Sequence, residues 1–160
     1  ISMRHWLLKS EPTAFDLADL ESAPEQTTPW EGVRNYQARN FLRDELRRGD
    51  QAFFYRSGTA HPAIAGIVEV VREGYPDETA FDPTSPYYDP ICSRERPRWY
   101  RVDVRLVRRL RRPITLAELK RHRDELADFI LLRRGNRLSV LPVTAAHWTF
   151  VLDLENTLAV

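Results

Sequence analysis

The sequence predicts an α+β fold, a small curved mixed sheet or partly open barrel with helices at its periphery. Three observations carry this expectation. Short apolar or alternating runs of strand length are interleaved with short helical patterns. Several connections between strands are too short or irregular for repeated βαβ units, which argues against a doubly wound parallel sheet. Finally, a chain of 160 residues and 18.7 kDa fits one core. A domain of that size buries roughly 70% of its unfolded surface and needs no disulfide or metal to do so.

Taken in order, His5-Trp6-Leu7-Leu8-Lys9 reads as a first strand stopped by Pro12. Thr13 is positioned to cap a helix through Leu20, with Phe15, Leu17 and Leu20 as its apolar positions. Residues 21–32 hold Pro24 and Pro29 and read as a loop. Asn35 is a plausible N-cap for a helix reaching about Leu46, stopped by Gly49. Gln51 to Tyr55 and Ile64 to Arg72 read as buried strands.

Tyr75 to Arg98 holds five prolines and predicts a long loop, of the length that usually carries a function. Trp99 to Leu110 alternates, with Tyr100, Val102, Val104 and Leu106 on one face and Arg101, Asp103 and Arg105 on the other. Thr115 and Glu118 form a capping-box pattern at the start of a helix. A further helical stretch is expected from Asp124 to Leu132, a short strand from Leu138 to Val140, and a last helix from Ala145 to Leu152 capped by Thr144. One domain over residues 4–152 is expected, with residues 153–160 as a tail. Ile1 and Ser2, before the only Met, read as a remnant outside it.

Composition narrows the function. No apolar run approaches the ~18 residues of a membrane span, and the first residues lack a signal peptide's apolar stretch, so a cytoplasmic protein is expected, or a nuclear one in a eukaryote. Cys92 is alone, which excludes an intrachain disulfide or multi-cysteine metal site. A net charge of +1 hides polarity: residues 73–93 carry five acids and no base, whereas residues 94–112 carry nine arginines against two acids. Such a stripe suits phosphate, and equally a solvated strand face.

Three segments combine aromatic and polar residues beyond what a core requires. They are KSEP (Lys9 to Pro12), WEGVRNYQARN (Trp30 to Asn40) and FFYRSG (Phe53 to Gly58). With GIVEVVREGYPD (Gly66 to Asp77), DPTSPYYDP (Asp82 to Pro90), PRWYRVDV (Pro97 to Val104) and RLSVLPVTAAHW (Arg137 to Trp148), they closely resemble the EVE domain, a PUA-like family with animal and bacterial members. The resemblance runs from Arg4 to about Leu152. It departs at Arg56-Ser57-Gly58, where the family pattern has His-Ser-Asn.

This resemblance implies a PUA-like pseudo-barrel sheet with peripheral helices, related to YTH and ASCH domains. It further implies a nucleic-acid-binding module that reads one modified base, with 5-methylcytosine in DNA foremost, flipped into an aromatic pocket. Association with restriction-type or RNA-directed systems, as in bacterial members, would follow. The alternatives are an ASCH-like small hydrolase of a modified nucleoside and an RNA-binding PUA-like domain.

On this reading Trp30 and Trp99, then Tyr55, are the stacking platforms, each stacked base being worth ~1–3 kcal/mol. Ser10, Glu11, Asn35, Ser57 and the backbone around Val33 supply edge hydrogen bonds to the base. Lys9 belongs to the same pocket, and Lys9, Arg34, Arg39, Arg105 and Arg108 meet phosphates. Trp6 and Trp148 are assigned to packing, Tyr87 and Tyr88 to pinning the proline-rich loop, and Cys92 to no chemistry. The four histidines show no metal spacing, and neither a GxSxG elbow nor a P-loop is present, so no metal or cofactor is expected. Catalysis, if any, would fall to Lys9 as base or nucleophile with Glu11 as partner.

Overall fold

The computed structural model describes residues 3–157. In chain order they form β1 (His5–Ser10), α1 (Leu17–Ser22), β2 (Thr27–Trp30), α2 (Tyr36–Asn40), β3 (Gln51–Arg56), β4 (Ala63–Pro76), β5 (Tyr100–Thr115), α3 (Leu116–Arg121), β6 (Val140–Val143) and α4 (Ala145–Glu155). The strands make one sheet in the order β2-β5-β4-β3-β1-β6. Neighbours are antiparallel except β1 and β3, which run parallel.

The sheet is curved and not closed. Its bend lies in β4 and β5, where the register shifts repeatedly between Ile64 and Tyr75, and each such irregularity adds local twist. The two edges, β2 and β6, carry Pro29 and Pro142, residues that withhold a ladder donor from further pairing. Both faces are covered. Trp6, Leu8, Phe54, Val68 and Val104 pack with Leu17, Leu20 and Leu42 on one side. Leu7, Phe53, Ile67 and Leu141 pack with Leu119, Phe129, Trp148 and Val151 on the other. Burial on both faces explains why β1 and β3 are continuous apolar runs.

Several elements differ from the expectation. Asp16, not Thr13, caps α1: its carboxylate accepts the Leu17 N–H at 2.8 Å while Asp19 accepts the Asp16 N–H at 2.8 Å. The prolines of residues 21–32 do not prevent β2, because an edge strand tolerates Pro29. The helix capped by Asn35 is α-helical through Asn40 and continues as a π-turn, Phe41–Glu45. Residues 124–132 form turns and a 3-10 turn, Ile130–Leu132, rather than an α-helix. Asp128 there takes a left-handed φ of 69°, which breaks the helical repeat.

The strand expected from Leu138 begins at Val140, because Asn136 Oδ1 already holds the Leu138 N–H in a turn. The last helix extends past Leu152 to Glu155, where the buried Glu155 carboxylate is locked by the two terminal guanidinium nitrogens of Arg108 (2.7 and 2.9 Å). Residues 1–2 and 158–160 lie outside the described residues.

Candidate functional site

A cavity of about 420 Å³ opens where the end of β1, the entry to α1, β2 and the loop after it, and the proline-rich loop meet. That volume suits a small ligand. Its apolar walls include Phe15, Pro29, Trp30, Val33 and Tyr87, and its polar rim includes Lys9, Ser10, Thr28, Glu31 and Ser139. Trp30 is held from behind by Phe54, edge to face at 5.6 Å, and retains only 6% exposure.

The far wall depends on a clamp. Gly32 sits at φ +83°, and a Cβ there would lie 2.7 Å from the Tyr87 ring. Its N–H donates to the fully buried Asp77 carboxylate at 2.9 Å. Arg34 donates to the same carboxylate (3.1 Å), to the Tyr87 carbonyl (2.7 Å) and to Thr79 Oγ1 (3.3 Å). Burial pushes the Asp77 carboxyl upward, but hydrogen bonds from Thr79, the Gly32 N–H and Arg34 outweigh it and hold it below the ordinary carboxylate value. Arg34 therefore ties the proline-rich loop to the Gly32 turn, and its guanidinium is committed to protein acceptors.

Two rim groups are electrostatically unusual. Lys9 has no carboxylate within ion-pair reach among the described residues, and burial lowers its ammonium below the ordinary lysine value. Burial raises the Glu31 carboxyl, and the 2.8 Å contact from Arg101 opposes that rise only in part. Ser10 already donates its hydroxyl to the Phe15 carbonyl at 2.6 Å, leaving its lone pairs as acceptors. Glu11 lines the cavity as well.

Of the residues singled out in the sequence, Lys9, Ser10, Glu11, Trp30, Val33 and Arg34 line this cavity. Trp99 does not. It stacks on Tyr36 at 5.0 Å and donates its indole N–H to Asp89 at 2.8 Å, which pins the proline-rich loop instead. Tyr55 does not either, because strand alternation turns it to the opposite face beside Phe53. There it keeps 3% exposure, and burial pushes its hydroxyl up to about 12. Ser57 contributes a backbone N–H to the Ser10 carbonyl (2.9 Å) and is not a lining residue.

Asn35 caps α2, accepting the Ala38 N–H at 2.9 Å, and lines a second cavity. Arg39 donates to the Arg98 carbonyl, Arg105 pairs with Glu69 (3.0 Å) and Arg108 with Glu155. Most of the arginine stripe is neutralised in this way, through Arg94–Glu78, Arg98–Asp89, Arg101–Glu31, Arg109–Glu21 and Arg112–Glu118. Sequence reasoning missed Phe15, Glu31 and Ser139. It assigned Tyr87 to the loop alone, whereas Tyr87 both anchors the loop, its carbonyl accepting from Arg34, and lines the cavity.

A curved six-stranded mixed sheet, flanked by short helices and with a small-ligand-sized cleft beside its first strand, defines the class of fold. The EVE domain family model matches residues 4–154, and the chain belongs to that family. It is similar to human thymocyte nuclear protein 1 (45% identical, over 94% of this chain and 73% of that protein) and to its chicken counterpart (47%, 97% and 70%). Among solved structures it resembles the human THYN1 protein in complex with 5-methylcytosine-containing DNA. The TM-score there is 0.93 at 44% identity, over 98% of this chain and 99% of that one. A protein of Pseudomonas syringae matches with TM-score 0.89 at 43% identity, over 94% and 99% of the two chains. Among the described residues no helix is long and apolar enough to cross a membrane, and no cluster of candidate metal ligands occurs.

Proposed function

We propose that this protein is a DNA-binding module that holds one modified cytosine, 5-methylcytosine foremost, extruded into the cavity beside β1. The observation that supports it most is the likeness over nearly the whole chain to a structure solved with 5-methylcytosine-containing DNA. The residues present fit that ligand. Trp30, Phe15 and Tyr87 offer flat or apolar surfaces to a ring and its methyl group. The amino group of cytosine donates to Glu31 or Glu11, and its carbonyl oxygen accepts from Lys9. Extrusion costs a few kcal/mol, which stacking and edge contacts must exceed. The place of action follows the DNA, in the cytoplasm of a bacterium or the nucleus of a eukaryote.

The test is a fluorescence titration of duplexes that differ only in one 5-methyl group, with the oligonucleotide mass checked afterwards. Tighter binding of the methylated duplex with unchanged mass is expected. Equal binding refutes the reading. Loss of the base or another new product that vanishes in Lys9→Ala replaces it with hydrolysis.

A further inference from the structure

The second cavity, about 340 Å³, lies between the start of α2 and the loop that precedes β6. Arg133, Arg134 and Arg137 line it, together with Asn35, Gln37 and Asn136. These three arginines are exposed, and their side chains make no hydrogen bond or ion pair within the described residues, in contrast to most arginines of β5. No acidic side chain lines the cavity. Asn136 fixes the loop by accepting the Leu138 N–H at 3.1 Å, and its buried Nδ2 has no acceptor. The site is a concave surface of unsatisfied donors with uncompensated positive charge. That chemistry matches a phosphodiester.

Its position relative to the base cavity is fixed by the chain. Arg34 lines the first cavity and Asn35 the second, and Ser139 lines the first and Leu138 the second. Consecutive Cα atoms lie about 3.8 Å apart, so the two cavities share a wall at two points. A nucleotide held in the first cavity brings its neighbours' phosphates to the second, because phosphates recur every ~3.4 Å of axis along a strand.

We propose that the Arg133–Arg137 loop and the start of α2 bind the DNA backbone beside the extruded base. These groups supply sequence-independent affinity, while the cavity beside β1 supplies the preference for the base. The proposal rests on the base-reading function and is tested so that the two fail separately.

The experiment compares the full chain with R133Q/R134Q/R137Q on methylated and unmethylated duplexes across a salt series. The triple variant is expected to weaken binding to both duplexes by the same factor, roughly tenfold or more. Its log K versus log salt slope should flatten by about 0.9 for each phosphate that it no longer neutralises, with the methyl preference unchanged. Affinity and slope within twofold of the parent overturn the proposal, as does a changed methyl preference. If the parent shows no methyl preference, the base reading fails, while the slope still decides the arginines.

Location is read by replacing one linkage next to the methylated cytosine with a neutral methylphosphonate. The parent should lose affinity while the triple variant loses none further. If the two losses multiply, the cavity does not hold that phosphate. Ten millimolar inorganic phosphate at constant ionic strength should leave the duplex affinity within twofold, as expected for a site shaped by a tethered diester. Full competition would mark a free-anion site and overturn the assignment to DNA.

Discussion

Gly32→Ala isolates the contact on which the far wall of the cavity beside β1 depends. A new Cβ would lie 2.7 Å from Tyr87 Cε1 and Cζ, and 2.9 Å from Cε2. Reaching ordinary carbon–carbon contact requires the ring to withdraw by roughly 1 Å. Because the Tyr87 carbonyl is held by Arg34 at 2.7 Å, the ring cannot withdraw without straining that hydrogen bond or tilting into the cavity. The backbone adds its own cost, since φ +83° disfavours any side chain by about 1 kcal/mol.

The single substitution should therefore destabilise the protein by roughly 2–3 kcal/mol, the sum of left-handed strain and overpacking. In a Tyr87→Ala background the clash is gone, and Gly32→Ala should cost only its backbone share of about 1 kcal/mol. The coupling of about 1–2 kcal/mol between the two positions is measured by urea denaturation of the four proteins of the cycle. Binding to the methylated duplex, followed in parallel, should fall in Gly32→Ala even at temperatures where it stays folded. Additivity of the two substitutions within about 0.5 kcal/mol would refute the ring-on-glycine account of the wall.

Three further outcomes are expected. Asp77 is held below its ordinary value in the folded state, so its stabilisation is complete above the unfolded value near pH 4 and is lost as pH falls through the folded value. Asp77→Asn should then lower stability at neutral pH by roughly 2 kcal/mol or more and show a shallower loss on acidification, and matching acid slopes in both proteins would contradict this. Arg108→Ala strands the buried Glu155 carboxylate, leaving it the Arg111 N–H, and should cost roughly 2–3 kcal/mol in chemical denaturation; a stability change below about 0.5 kcal/mol would show that the pair carries little. Trp30→Phe should weaken binding of the methylated duplex by about 1 kcal/mol, whereas Tyr55→Phe should not change it, and the opposite order in calorimetry would return the platform to Tyr55.

What the sequence discloses is governed by the range of the interaction concerned. The strands β1 and β3, the capping of α2 by Asn35, the capping of α3 by Thr115 and the start of α4 after Thr144 depend on neighbours within a few residues, and all are readable locally. The strand β2 is hidden because Pro29 is forbidden in a central strand and harmless at an edge, and edge position is a property of the whole sheet. The same limit applies to the site. Motif resemblance draws attention to Trp30 and Trp99 together, yet side-chain identity does not say which indole meets the cavity; that is decided by Asp89 and Tyr36, 10 and 63 positions from Trp99, which claim its edge and its face.

The arginines make the argument most sharply. In sequence the run from Arg94 to Arg112 stands out as the positive feature, because nine like charges occur close together. In space, acids drawn from α1, β4, the proline-rich loop, α3 and α4 neutralise most of that run, and Arg34 is absorbed by Asp77 and the Tyr87 carbonyl. Arg133, Arg134 and Arg137 are an unremarkable trio in sequence, but they face a concavity with no carboxylate on its walls. Positive potential available to a polyanion is set by the charge left after internal pairing, not by the density of basic letters. A phosphate-binding surface in a chain whose net charge is only +1 must therefore be sought where pairing fails, and one such place is the concavity next to the cavity that we propose for the base.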